Sequence, residues 1–155
     1  MRLLIVGILA VVSLVGTGCD SVIDSAMEPD VETSTSPELV KEAIEYGGWV
    51  LPANGKILLV KREIIRNRKY QIAVEMSPAD FSSMLEQTRF VAAFDKLYVT
   101  SLVTTIAGPD LASSPNVQSA QDTFLSPKGK SMIREVVVDE RTADTRIVHI
   151  EFRSV

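Results

Sequence analysis

The chain has 155 residues, with Lys+Arg 16 against Asp+Glu 20 for a net charge of −4, and it carries one cysteine, one histidine and one tryptophan. That acidity argues against nucleic acid, which selects basic domains. A lone cysteine rules out a disulfide framework, and one histidine leaves zinc little but carboxylates, so no metal or cofactor is expected. The length suits one domain of ordinary size.

Met1 and Arg2 precede an unbroken apolar and small run, residues 3–15, and then Gly16-Thr17-Gly18-Cys19. A charged start, about a dozen apolar residues and a small-residue end describe an export signal, too short to cross a bilayer of about 30 Å as a stable helix. Because it ends in Cys rather than Ala-x-Ala, this segment resembles the lipobox of bacterial lipoproteins, with Gly16 where Leu is commonest. The resemblance covers the first 20 residues. It implies a signal peptide over 1–18, lipidation of Cys19, and a chain anchored at the extracytoplasmic face of the cell membrane. A thiolate is the nucleophile that accepts a lipid as a thioether. Two or three acyl chains then hold the protein, since each buried methylene contributes about 0.8 kcal/mol. By the same resemblance, Asp20 is the residue that retains lipoproteins in the inner membrane of many double-membrane bacteria. Loss of residues 1–18 removes only Arg2 among the charges, leaving 15 bases against 20 acids, net −5.

Residues 20–36 hold five acids and no base. Such a stretch buries little and repels itself, so residues 19–36 are expected to be a lipidated, disordered acidic tether, with one folded domain over 37–155. Ser36-Pro37-Glu38 predicts a helix start, with Leu39, Val40, Ala43 and Ile44 on its apolar side and Gly47-Gly48 ending it. Trp49, beside the Pro52 turn, is expected to anchor packing. Residues 56–65 and 70–76 predict a hairpin around the turn 66–69. Lys61, Arg62, Arg66, Arg68 and Lys69 form a basic patch there, a candidate contact for anionic lipid or wall polymer; the alternative is a solvated tip that protects the sheet edge.

Ser77-Pro78-Ala79-Asp80 is a capping box with Asp for Glu, and Phe81, Met84, Leu85 and Thr88 recur at helical spacing, so a helix is expected to near Arg89. Residues 90–106 are apolar without a clean period; Val99, Thr100, Val103, Thr104 and Thr105 tilt the second half towards strand. Breaker clusters at 107–110 and 113–116 make residues 107–129 mostly loop, with at most a short element around 118–124. Residues 132–139 and 145–152 predict a second hairpin with a polar turn at 140–144. Val148, Ile150 and Phe152 share one side; Ile147, His149, Glu151 and Arg153 share the other, which places the histidine on the wetter side.

No Gly-x-Ser-x-Gly elbow or second thiol completes a triad with His149 and Glu151. There is no phosphate-cradling glycine loop and no internal repeat. Paired carboxylates remain open, because glycoside cleavage needs only two acids a few Å apart. Asp139 with Glu140, or Asp95 with Asp110, are pairs of that type, though no spacing singles them out.

The expected fold is α+β: an antiparallel sheet of two hairpins covered on one face by one or two helices. Trp49-Val50-Leu51-Pro52, Ser77-Pro78-Ala79-Asp80 and Arg134-Glu135-Val136-Val137-Val138-Asp139 together resemble small uncharacterised lipoproteins of actinobacteria, a likeness that implies no activity. The expected role is a non-enzymatic, membrane-tethered binding domain with an unknown protein or envelope partner. Two other classes stay open: a phage or prophage lipoprotein that excludes superinfection, and a small cell-wall hydrolase with paired acids.

Overall fold

A computed structural model describes residues 28–126 and 128–155; Cys19, the leader and most of the expected tether lie outside them. The protein is mixed α+β and mostly sheet. Its strands are β1 (Asp30–Ser34), β2 (Lys56–Ile64), β3 (Arg68–Met76), β4 (Asp95–Lys96), β5 (Val117–Leu125), β6 (Ser131–Asp139) and β7 (Arg146–Ser154). They form one seven-stranded antiparallel sheet in the order β1-β2-β3-β7-β6-β5-β4. Two α-helices are described, α1 (Pro37–Gly47) and α2 (Pro78–Gln87).

Both helices start where their caps direct. Leu39 N–H donates to Ser36 Oγ at 3.3 Å and Asp80 N–H to Ser77 Oγ at 3.1 Å, each satisfying an orphan donor of the first turn. Gly48 ends α1 in the left-handed region, φ 65°. At the end of α2 the same task falls to Arg89, φ 53°, while Phe90 N–H reaches back to the Leu85 carbonyl at 2.9 Å.

The helices cover one face of the sheet. Tyr70, Ile72, Val74, Val136, Val138, Val148, Ile150 and Phe152 point there and pack with Leu39, Ala43, Trp49, Met84 and Phe90. Arg134 lies within this apolar layer, only 1% exposed. Asp122 receives it with two bonds, from Nε at 2.8 Å and Nη2 at 2.5 Å; Nη1 donates to the Thr88 carbonyl at 3.3 Å. The rings of Trp49, Phe90 and Phe124 lie 5.0, 5.4 and 4.5 Å from its guanidinium carbon. A buried charge persists only when paired and hydrogen-bonded, and Arg134 is both.

Three expectations are corrected. Residues 30–34, assigned to the acidic tether, form an edge strand, because the register sets Glu32 opposite Arg62 and that guanidinium pairs with Glu32 at 2.8 Å and Asp30 at 3.6 Å. Residues 117–125, expected to be mostly loop with at most a short element around 118–124, form a full strand. β5 hides its alternation because Gln118 and Asp122 share the inward side with Ala120 and Phe124, and Asp122 is tolerated there by Arg134. Residues 99–105, tilted towards strand, hold a 3-10 turn at Thr100–Leu102 instead; the nearest strand is β4. The sheet therefore extends well beyond two hairpins.

Candidate functional site

The second face of the sheet is also covered, though not by a helix. Residues 97–116, a strap with 3-10 turns at Thr100–Leu102 and Leu111–Ser113, run across it. A small apolar cluster of Leu97, Val103, Leu111, Val117 and Val137 holds the strap down. Its far end is fastened by polar groups. Asp139 is fully buried (0% exposed), accepts from the Ser114 hydroxyl, and takes Arg141 Nε at 3.2 Å and Nη2 at 3.0 Å. Arg141 in turn donates to Ser113 Oγ and to the Asp110 carbonyl, both at 2.9 Å. Next to it, Glu140 accepts from Asn116 and from Gln118, and pairs with Arg146 at 3.1 Å.

Between the strap and the sheet lies a cleft of about 290 Å³. Its sheet side carries Lys61, Lys69, Gln71, Glu135, His149 and Glu151; strap residues 102–106 form the opposite wall. Gln71 ties the walls together, its amide donating to Glu151 Oε2 at 3.1 Å and to the Thr104 carbonyl at 3.4 Å. Glu151 also receives Lys69 at 3.8 Å and Arg153 at 3.1 Å, while Lys61 pairs with Glu63 at 3.0 Å. That Lys61 contact holds the Glu63 carboxyl below its ordinary value. Lys61 and Lys69 of the lining are thus each paired with a carboxylate, whereas Glu135, opposite Glu151 in the register, makes no ion pair among the described residues, so carboxylate oxygens are open to a ligand that brings donors.

His149 occupies the floor, and its position corrects the expected wet-side histidine. It does share a face with Glu151 and Arg153, but the strap passes over that face, leaving the imidazole 8% exposed with no hydrogen-bond partner at Nδ1 or Nε2. Gly108, φ 96°, is the reason the chain can come so close: a Cβ there would meet Ile147 Cγ2 at 3.3 Å and His149 Cε1 at 3.7 Å. Burial pushes the His149 pKa down, with the Asp139 charge opposing it. A neutral imidazole with two unpaired nitrogens is a standing cost that water or a ligand polar group would relieve.

The five residues of the basic patch do not share one surface. Strand alternation sends Lys61 and Lys69 to the cleft face and Arg62 and Arg68 to the helix face. There Glu42 of α1 accepts Tyr70 Oη at 2.5 Å, Arg62 Nη1 at 3.2 Å and Arg68 Nη1 at 3.4 Å. The Tyr70 hydroxyl, with both arginines beside it, lowers the Glu42 carboxyl against the pull of partial burial. Burial and Glu42 push the Tyr70 phenol above its usual range. Arg66 lies at the exposed tip, and Arg68 next to it is exposed too, though engaged by Glu42.

Neither carboxylate pair forms an open catalytic couple. Asp139 and Glu140 are spent on the strap as described; Asp110 caps the second 3-10 turn through Ala112 N–H at 2.9 Å, and Asp95 lies in β4 opposite Ser119. Among the described residues no three His, Cys, Asp or Glu side chains gather as a metal site, and no helix is long and apolar enough to cross a membrane. The chain matches no protein-family model, no curated protein and no solved structure.

Proposed function

We propose that this protein is a membrane-anchored extracytoplasmic lipoprotein whose folded part is a non-enzymatic binding domain, with the cleft beneath the strap as its ligand site. The observation that carries this reading is the pairing of two features: a lipidation motif ending in Cys19, and a cleft floored by a buried histidine with both nitrogens unpartnered. In this reading the hairpins β2–β3 and β6–β7 are the rigid scaffold, the helices cover one side of it, and the other side receives the ligand. The lining suits a small, polar molecule rich in hydrogen-bond donors, because each lysine already has a carboxylate partner while Glu135, opposite Glu151, has none among the described residues. Structural employment of Asp139, Glu140 and Asp110 supports binding over hydrolysis.

The anchor is tested by Cys19→Ala with metabolic palmitate labelling: label is lost and the chain leaves the membrane fraction. Retention of label, or recovery of unprocessed wild type from the cytosol, would overturn it. The cleft is tested by a thermal-shift screen of polar envelope metabolites, where a hit must disappear in Gln71→Leu.

A further inference from the structure

The register of the sheet fixes which end of the domain faces the anchor. β1 begins at Asp30, opposite Ile64, so the chain from Cys19 enters beside the β2–β3 tip, residues 65–67. Following the pairings across the sheet, Lys69 lies opposite Arg153, Met132 opposite Ser154, and Leu125 opposite Ser131. The turn that joins Leu125 of β5 to Ser131 of β6 is therefore at this same end. Three strand spacings of about 4.8 Å separate the two turns, or about 14 Å.

Both turns present the same chemistry. Ile65 is 56% and Leu125 68% exposed, large apolar side chains at positions where a solvated turn would carry polar ones. Arg66, Lys128 and Lys130 are exposed and make no ion pair among the described residues, unlike the other bases of the β2–β3 hairpin that face the sheet. Glu42 and Glu45 line a hollow beside Lys128 and Lys130, but Glu42 is engaged by Tyr70, Arg62 and Arg68. Eleven residue steps from Cys19 to Asp30 reach at most about 40 Å when fully extended. This end can thus touch the surface in which the lipid is held.

We infer that the end of the sheet formed by the 65–67 turn and the β5–β6 turn is a membrane-contacting surface, with Ile65 and Leu125 meeting the interface and Arg66, Lys128 and Lys130 meeting anionic head groups. The inference rests on lipidation of Cys19. Each base held near an anionic leaflet strengthens the contact about fivefold. The contact orients the domain, turning the opposite 140–144 turn away from the bilayer.

The test uses the full chain, processed by its own leader and reconstituted in bilayers with and without phosphatidylglycerol. Lipidation consumes Cys19, so Asn67→Cys and Ala143→Cys each offer a single thiol for a spin label, at the two ends. The label at residue 67 should be several-fold less accessible to a water-soluble nickel chelate than the label at 143, and the difference should shrink when R66E, K128E and K130E are combined or phosphatidylglycerol is omitted. Equal accessibility at both positions, with palmitate on Cys19, overturns the orientation and leaves the anchor standing. A protected residue 67 that ignores both charge reversal and lipid composition overturns the head-group part. Failure of Cys19 to take up lipid overturns the anchor and this inference together.

Discussion

The two faces of the sheet each bury a nitrogen-rich side chain, and they treat it in opposite ways. Under the helices, Arg134 has a bidentate carboxylate, a carbonyl and three aromatic rings. Under the strap, His149 has no partner for either nitrogen. Full satisfaction makes a buried charge part of the architecture, because removing either member strands the other. An orphan imidazole does the reverse: it makes the closed strap costlier than it need be, so the strap side should be the less stable cover of the two.

The largest effect should come from breaking the satisfied Arg134–Asp122 pair. Arg134→Ala leaves Asp122 facing the rings alone and should cost about 3–5 kcal/mol in urea unfolding; the apolar double change Arg134→Met with Asp122→Leu should recover most of it. If Arg134→Ala is nearly neutral, the contrast between the faces fails. Next, Asp139→Ala frees Ser114 and Arg141 and should cost about 2 kcal/mol, with hydrogen exchange accelerating selectively over residues 110–116.

The histidine itself should behave unlike either. His149→Leu removes two unpaired nitrogens at similar volume and should be neutral or stabilising by about 1 kcal/mol. Its pH signature has a definite sign. The folded-state value lies below the ordinary 6.5, so as pH falls below 6.5 the unfolded chain takes up a proton that the folded chain refuses. Stability is then full above 6.5 and declines towards the depressed value; His149→Leu should flatten that decline, and an unchanged slope would assign it elsewhere. The smallest effect concerns Arg89, whose left-handed backbone suits glycine better. Arg89→Gly should raise stability by about 0.5–1 kcal/mol and leave the strap unaffected.

What could be read from the residues follows the range of the forces involved. Ser36-Pro37 and Ser77-Pro78 announce both helices because capping is local, and β2, β3, β6 and β7 announce themselves by alternation. β1 and β5 do not, since each depends on a partner distant in sequence: Arg62 for the acids of β1, Arg134 for Asp122. The cleft was least legible, because the strap reaches the sheet through Asp139, Ser114 and Arg141, and its close passage needs the positive φ of Gly108. One signal did exist. Val136-Val137-Val138 is apolar without interruption, the mark of a strand covered on both faces, and it implied a second cover above Val137 and its neighbour His149.

The placement of β1 has a mechanical consequence. Any pull transmitted from the N-terminal side reaches the fold at Asp30 and runs along the axis of an edge strand hydrogen-bonded lengthwise to β2. The load is shared in shear by the whole ladder at once, rather than peeling its bonds apart one after another. Arg62, gripping Asp30, Glu32 and Glu42 together, rivets that strand to α1 as well. A drag on the domain would be resisted at the edge strand through which the chain enters the sheet, before it could reach the core pairs of β3 and β7.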